Sequence, residues 1–168
     1  MRGRRQRGGY IDLLREPPPD ETELGFWTVL DEPFVAVLPA TQPLAAQRVV
    51  GLGQLADSPF ALLPRAVGPQ LYDQITGLCT AAGFTPRTAQ HAVEWQTVCA
   101  LVETGLGVSL VPASIRRIRL KGVAFRGIKP GTARTRVAVA WRRDDRNPLV
   151  GRLLATVSRD RPDRLQAR

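Results

Sequence analysis

His91, Cys79, Cys99 and the adjacent acids Asp144 and Asp145 are the side chains whose chemistry could make this chain a catalyst or a metal protein. Their spacing supports neither. His91 is the one histidine of 168 residues and has no cysteine beside it, so a satisfied or exposed ring is expected rather than a catalytic one. Cys79 and Cys99 fall on the apolar faces of predicted helices, where a buried free thiol is the ordinary outcome and no metal site forms without histidine neighbours. Asp144 and Asp145 sit in a charged turn, and Asp20, Glu21 and Glu23 lie in a loop without a matching acid or base. Gly105 and Gly107 close a helix and open a strand, the reverse of a dinucleotide-binding turn, and neither G-x-x-x-x-G-K-[ST] nor G-x-S-x-G occurs. No catalytic group, metal site or cofactor is therefore expected. The remaining chemistry is capture. Three predicted helix starts, at Gly68 to Leu71, at Glu94 to Thr97 and at Ala113 and Ser114, offer unpaired N–H groups and the positive ends of helix dipoles to a small anion.

The elements that must bring those starts together lie in residues 59–112. Phe60 to Leu63 form a short apolar run between prolines, which reads as a buried strand. Gly68 is placed as an N-cap and Pro69 as the first helical residue, where a missing N–H costs nothing. Leu71, Ile75, Leu78, Cys79 and Ala82 then recur at spacings of three and four, and Gly83 is positioned for the left-handed turn that ends the helix. Residues 85–92 read as a polar-leaning strand, Trp95, Val98, Leu101 and Val102 as the apolar stripe of a second helix ending at Gly105, and residues 106–111 as a third strand. Strands joined by helices in units this short pair in parallel with right-handed crossovers, so one three-layer lobe is expected, with the helix starts at the carboxyl ends of its strands.

A formal charge of +9 would suggest a nucleic-acid partner if it were evenly spread, and it is not. Residues 8–114 hold four Arg against eleven Asp and Glu, a net of −7, whereas residues 115–168 hold sixteen Lys and Arg against four Asp, a net of +12. The central lobe is acidic and the positive stripe belongs to the tail half, where it favours solubility and weak attraction to polyanions. A hydrophobic content of 43% suffices for a core. The basic start lacks the apolar run of a secretory signal and no segment is long and apolar enough to span a bilayer, which points to a cytoplasmic protein with no membrane role.

Outside the central lobe, residues 10–14, 24–30 and 33–39 read as strands, with an extended proline-rich loop at 15–20. Residues 113–119 read as a short helix; 123–128 and 136–141 read as strands, the first of them alternating and half-buried. Pro148 opens a last helix with Leu149, Leu153, Leu154 and Val157 on one side. Residues 1–9 and 159–168 have the composition of disordered tails. The flanks look like the edges of a second lobe whose middle is missing.

The ordered blocks EPFVAVLPATQPLA, QLADSPFALLPRAVGPQLYDQITGLCTAAGFTP, QTVCALVETGLGVSLVPASI and RVAVAWRRDD, with YIDLLREPP ahead of them, resemble the C-terminal effector-binding domain of LysR-type transcriptional regulators over about residues 10–157. The resemblance implies an α/β, type 2 periplasmic-binding-protein-like fold. One lobe would be complete (residues 44–123), and the other, with the hinge segments, partial (10–43 and 124–158). It implies a small-molecule effector, a carboxylate among the candidates, held between lobes to control transcription, and a homo-oligomer. DNA would be bound only through a helix-turn-helix that has no counterpart in this sequence, so no DNA-binding residue is assigned. Val67, Gly68, Pro69, Gln70 and Leu71 match the family's second-lobe effector contacts, with Trp95 and Gln96 at the next helix start. Trp95 reads equally as a core aromatic, and Arg65 either pairs with a ligand carboxylate or is a solvated or structural arginine.

A solute-binding protein of a transporter shares this fold and is the alternative, although it requires export. An enzyme on the same fold and a basic nucleic-acid-binding fragment are weaker readings, the latter testable by a steep salt dependence of DNA retention. Missing strands and helices would leave apolar surface at residues 24–39, 136–141 and 149–157. The isolated chain is therefore expected to elute as a dimer or larger species in size-exclusion chromatography with light scattering; a clean monomer with a sharp cooperative melt would contradict this.

Overall fold

The computed structural model describes residues 11–15, 22–145 and 147–159; the tail expected at 1–9, the tail expected at 159–168 apart from Arg159, and the loop expected at 15–20 apart from Arg15 lie outside them. The chain divides into two compact units, Met1–Asp31 with Arg136–Arg168, and Glu32–Thr135, so the second extends on both sides of residues 44–123.

In the larger unit the core is apolar sequence placed on two sides of strand β2 (Leu24–Pro39), whose residues Phe34 to Leu38 are all nearly inaccessible. Phe34, Ala36 and Leu38 face one cluster and Val35 and Val37 the other, as a strand covered on both sides requires. β2 is a single strand, not the two expected at 24–30 and 33–39. The charged break at Asp31 and Glu32 does not interrupt it because the buried Glu32 carboxylate finds donors: Ser114 gives its N–H to Oε2 (2.5 Å) and its hydroxyl to Oε1 (3.0 Å). A short strand β3 (Val49–Gly51), not anticipated from the sequence, runs parallel to β7 (Val123–Lys129), and β7 pairs antiparallel with β2. Within β7 burial does not alternate as expected, since Val123 and Ala124 are both buried and Phe125 only partly.

β4 (Pro59–Leu62) and β5 (Arg87–His91) form a separate parallel pair, bulged between Phe60 and Ala61. The third strand, β6 (Ser109–Pro112), departs from the all-parallel expectation: it pairs antiparallel with β2, Val37 opposite Ser109 and Phe34 opposite Pro112. It meets β4 only through a parallel bridge, where Ala61 donates to the Val108 carbonyl (2.9 Å) and Val108 to the Pro59 carbonyl (2.8 Å). All four β6 residues are buried, and the doubly covered β2 is the surface apolar enough to receive them. Gly107 makes the bridge possible, because a Cβ there would stand 2.4 Å from the Pro59 oxygen at φ +155°.

The two helices take the expected faces. α1 (Pro69–Ala81) buries Leu71, Ile75 and Cys79, one stripe at intervals of four, and α2 (Trp95–Glu103) buries Val98, Cys99 and Val102. Both stop by the same device. Gly83 (φ +93°) follows α1, Phe84 N–H returning to the Cys79 carbonyl and Gly83 N–H to Thr80; Gly105 (φ +81°) follows α2, with Leu106 bonded to Leu101 and Gly105 to Val102. Burial pushes both thiols up, to about 11. Residues 113–117 form a 3₁₀ turn rather than an α-helix.

In the smaller unit β1 (Ile11–Arg15) pairs antiparallel with the distal part of β8 (Arg134–Arg142), and Gly25 of β2 lies against the Trp141 indole, which a Cβ would approach to 2.5 Å. α3 (Pro148–Arg159) is opened by Asn147, whose side chain accepts the Leu149 N–H at 3.0 Å. Its buried residue is Val150, with Leu154 one turn on half-buried; Leu149 and Leu153, expected on the inner face, are 65% and 41% exposed. The Val157 side chain lies outside the described residues. Apolar exposure is thus seen on α3 and at Leu13, while residues 34–38 and 138–140, expected to be bare, are covered.

Gly107→Ala is expected to destabilise the chain by ~1–3 kcal/mol, because backbone rather than a yielding side chain meets the new methyl. The check is a chemical-denaturation midpoint, with Gly77→Ala inside α1, whose Cβ meets nothing within 4 Å, expected to raise it instead.

Candidate functional site

The parallel register of β4 and β5 sets Leu62 opposite His91, and Ala92 donates to the Leu62 carbonyl at 3.1 Å, so the two strands end level. Each leads within a few residues into a helix. Both helix starts therefore leave the same carboxyl edge, as the sequence pattern anticipates. After β4 the chain winds once around the Pro64 carbonyl, which accepts the N–H groups of Val67 (3.0 Å) and Gly68 (3.4 Å). Gly68 is the N-cap of α1, its carbonyl taking the Tyr72 N–H, and Pro69 has no N–H to satisfy. That leaves the amides of Gln70 and Leu71 as the donors of this helix end without a partner among the described residues. Glu94 caps α2 through its backbone alone, its carbonyl accepting from Val98, and the amides of Trp95, Gln96 and Thr97 are likewise unbonded.

The third start is different. Ser114, after β6, already binds a carboxylate of the chain itself, that of Glu32, through both its amide and its hydroxyl. That internal pair shows the affinity of such a terminus for an anion and removes it from the open set.

The side chains named from the sequence divide accordingly. Val67 (53% exposed), Pro69, Gln70 and Gln96 are exposed and Gly68 is half-buried, whereas Leu71 turns its side chain into the core and presents only its N–H. Trp95 is half-buried and packs against both core clusters, so its ring supports the helix start from beneath. Arg65 stands in the β4–α1 loop with its fork on Asp73, Nε to Oδ1 and Nη2 to Oδ2, both 2.7 Å. Asp73, one turn into α1, is not among the ligand-binding residues named from the sequence, and its pairing with Arg65 spans eight residues across a loop, which carries no periodicity to reveal it. The hydrogen bonds from Arg65, and then its charge, hold the Asp73 carboxyl below the usual carboxylate range; the same bonds raise the guanidinium further. His91 ends β5 as an exposed residue, and among the described residues no group of three His, Cys, Asp or Glu could hold a metal ion. Among the described residues no helix is long and apolar enough to cross a membrane.

A pair of short parallel strands with helix starts open at their carboxyl edge has the geometry to receive a small ligand, and comparison with known proteins identifies the family. Residues 7–161 match the LysR substrate binding domain, and the chain belongs to that family. It is 36% identical over 148 residues to the HTH-type transcriptional regulator IlvR of Caulobacter vibrioides, covering 86% of this chain and 49% of that protein. It is 32% identical over 143 residues to the HTH-type transcriptional regulator AlsR of Bacillus subtilis (84% and 47%). The chain thus spans about half the length of these curated relatives. Its fold is that of the LysR regulator CbnR (TM-score 0.77, 24% identity, 89% of this chain and 51% of that one). It is also that of the BenM effector binding domain solved with its effector benzoate (TM-score 0.76, 22% identity, 89% and 68%). The type 2 periplasmic-binding-protein-like architecture expected from the sequence is the one found.

Asp73 has a depressed carboxyl pKa, so the pair with Arg65 contributes stability above the unfolded-state value of 3.8 and loses it as pH falls through the lower folded value. The Asp73 Cγ resonance is expected to titrate below 3.8 in the native chain and to return to it in Arg65→Gln. A native midpoint at or above 3.8 would show that the pair is not held in solution.

Proposed function

We propose that this chain is the ligand-sensing part of a transcription regulator and that it takes a small carboxylate at the carboxyl edge of β4 and β5. The observation that carries the reading is the level ending of those strands, which sends both helix starts to one edge. The amides of Gln70, Leu71 and Gln96 would receive the carboxylate, the Gln70 side chain would supply both a donor and an acceptor, and Arg65, oriented by Asp73, would add charge. Val67, Gly68 and Pro69 would shape the wall, and Trp95 would hold the α2 start in place. His91 is the one histidine of the sequence, and among the described residues no group of three His, Cys, Asp or Glu could hold a metal ion, which supports binding without turnover. The relatives are transcriptional regulators, which favours this reading over a transporter's solute-binding protein and supports a cytoplasmic site. DNA contact would come from the part of the regulator that this chain does not span, and association into a homo-oligomer would bring two such sites together.

Benzoate is the first probe, followed by aliphatic monocarboxylates and dicarboxylates, in calorimetric titration of the whole chain. Saturable binding is expected, weakened about tenfold or more by Arg65→Gln and by Gln70→Ala, as loss of a charged or buried hydrogen bond implies. Absence of saturable heat across the panel, or affinity unchanged in both variants, would overturn the site.

A further inference from the structure

A second cationic cleft lies in the larger unit, and none of the residues placed at the β4–β5 edge lines it. β7 pairs with β2 along Val123 to Gly127 but with β3 only from Gly127 onward. On the β3 side this leaves a notch beside Val123 to Arg126, closed at its ends by the 3₁₀ turns Pro43–Ala46 and Ala113–Arg117. Two adjoining hollows of about 470 and 530 Å³ occupy it, a size suited to a small molecule. Arg116, Phe125 and Arg126 line both, and Arg48 lines the second; no Asp or Glu lines either.

The arginines are not equivalent. Arg126 is fixed: Nε and Nη2 donate to the Ala45 carbonyl (2.8 and 2.5 Å) and Nη1 to the Phe125 carbonyl (3.0 Å), so its plane is set by neutral acceptors and its charge is uncompensated. Arg48 and Arg116 are exposed and have no hydrogen-bond or ion-pair partner among the described residues. By contrast Arg65 is paired with Asp73 and Arg142 with Asp144. Three like charges around one hollow repel one another unless an anion lies between them. A planar guanidinium held by carbonyls is pre-organised to receive it.

We propose that this notch is a second anion site, taking a small multivalent anion of the phosphate or polycarboxylate class, with Arg126 as the fixed contact and Arg48 and Arg116 as the two that close on it. Citrate and inorganic pyrophosphate distinguish the two chemistries, against sodium chloride at matched ionic strength. The expected result, followed by amide resonances of the whole ¹⁵N-labelled chain, is saturable displacement at Ala45 to Val49 and Val123 to Gly127. It should weaken at least tenfold in Arg48→Gln/Arg116→Gln and stay unchanged in Gln70→Ala. Arg126 is left intact in the test because it also ties the Pro43–Ala46 turn to β7. The proposal is overturned if the displacements match those of chloride or fail to saturate. It is also overturned if they are confined to Gln70, Leu71, Trp95 and Gln96, or persist undiminished in the double variant with unaltered melting.

Discussion

Everything at the proposed receptor edge depends on one backbone contact, the bond from the Ala92 amide to the Leu62 carbonyl that finishes the β4–β5 ladder. Parallel strands need not end together. Here they do, and because each leads within a few residues into a helix, the unsatisfied amides of two helices leave the same edge without any side chain having to reach across. The core supplies the counterforce: Leu71, Ile75 and Cys79 of α1 and Val98, Cys99 and Val102 of α2 are buried on either side of the strands, so neither helix can slide without exposing apolar surface.

The three helix starts show how the same backbone chemistry is used in two ways. At Ser114 the anion is internal: Glu32 occupies the terminus, and this lets a charged pair of residues pass through the middle of a buried strand. Among the described residues neither α1 nor α2 carries a side-chain bond at its N-cap. Glu94 stands at the cap of α2 without a side-chain cap bond to the helix. A terminus that the fold needs is filled by the fold.

How much of this could be read from the residues follows the range of the interactions involved. α1, α2 and their glycine stops are written in local spacing, and the structure repeats them almost residue for residue. The partners of β6 are not local. Its apolar run suits a parallel or an antiparallel neighbour equally, and only β2, covered on both faces, decides the matter. β3 escaped because three residues beside Arg48 carry too little pattern, and α3 was turned by one position because its leucines outnumber the single valine that packs. The loop from Val67 to Leu71 was placed by block order rather than by spacing, and the fixing of Arg65 by Asp73 depends on how that loop winds about Pro64.

The buried thiols of Cys79 and Cys99 carry a further implication. With both pushed up to about 11, the fraction present as thiolate at neutral pH is on the order of one in ten thousand, and nucleophilic sulfur is what peroxide and disulfide reagents consume. A folded chain of this kind is deaf to the oxidation state of its surroundings through these residues, and whatever message it carries has to arrive by another route.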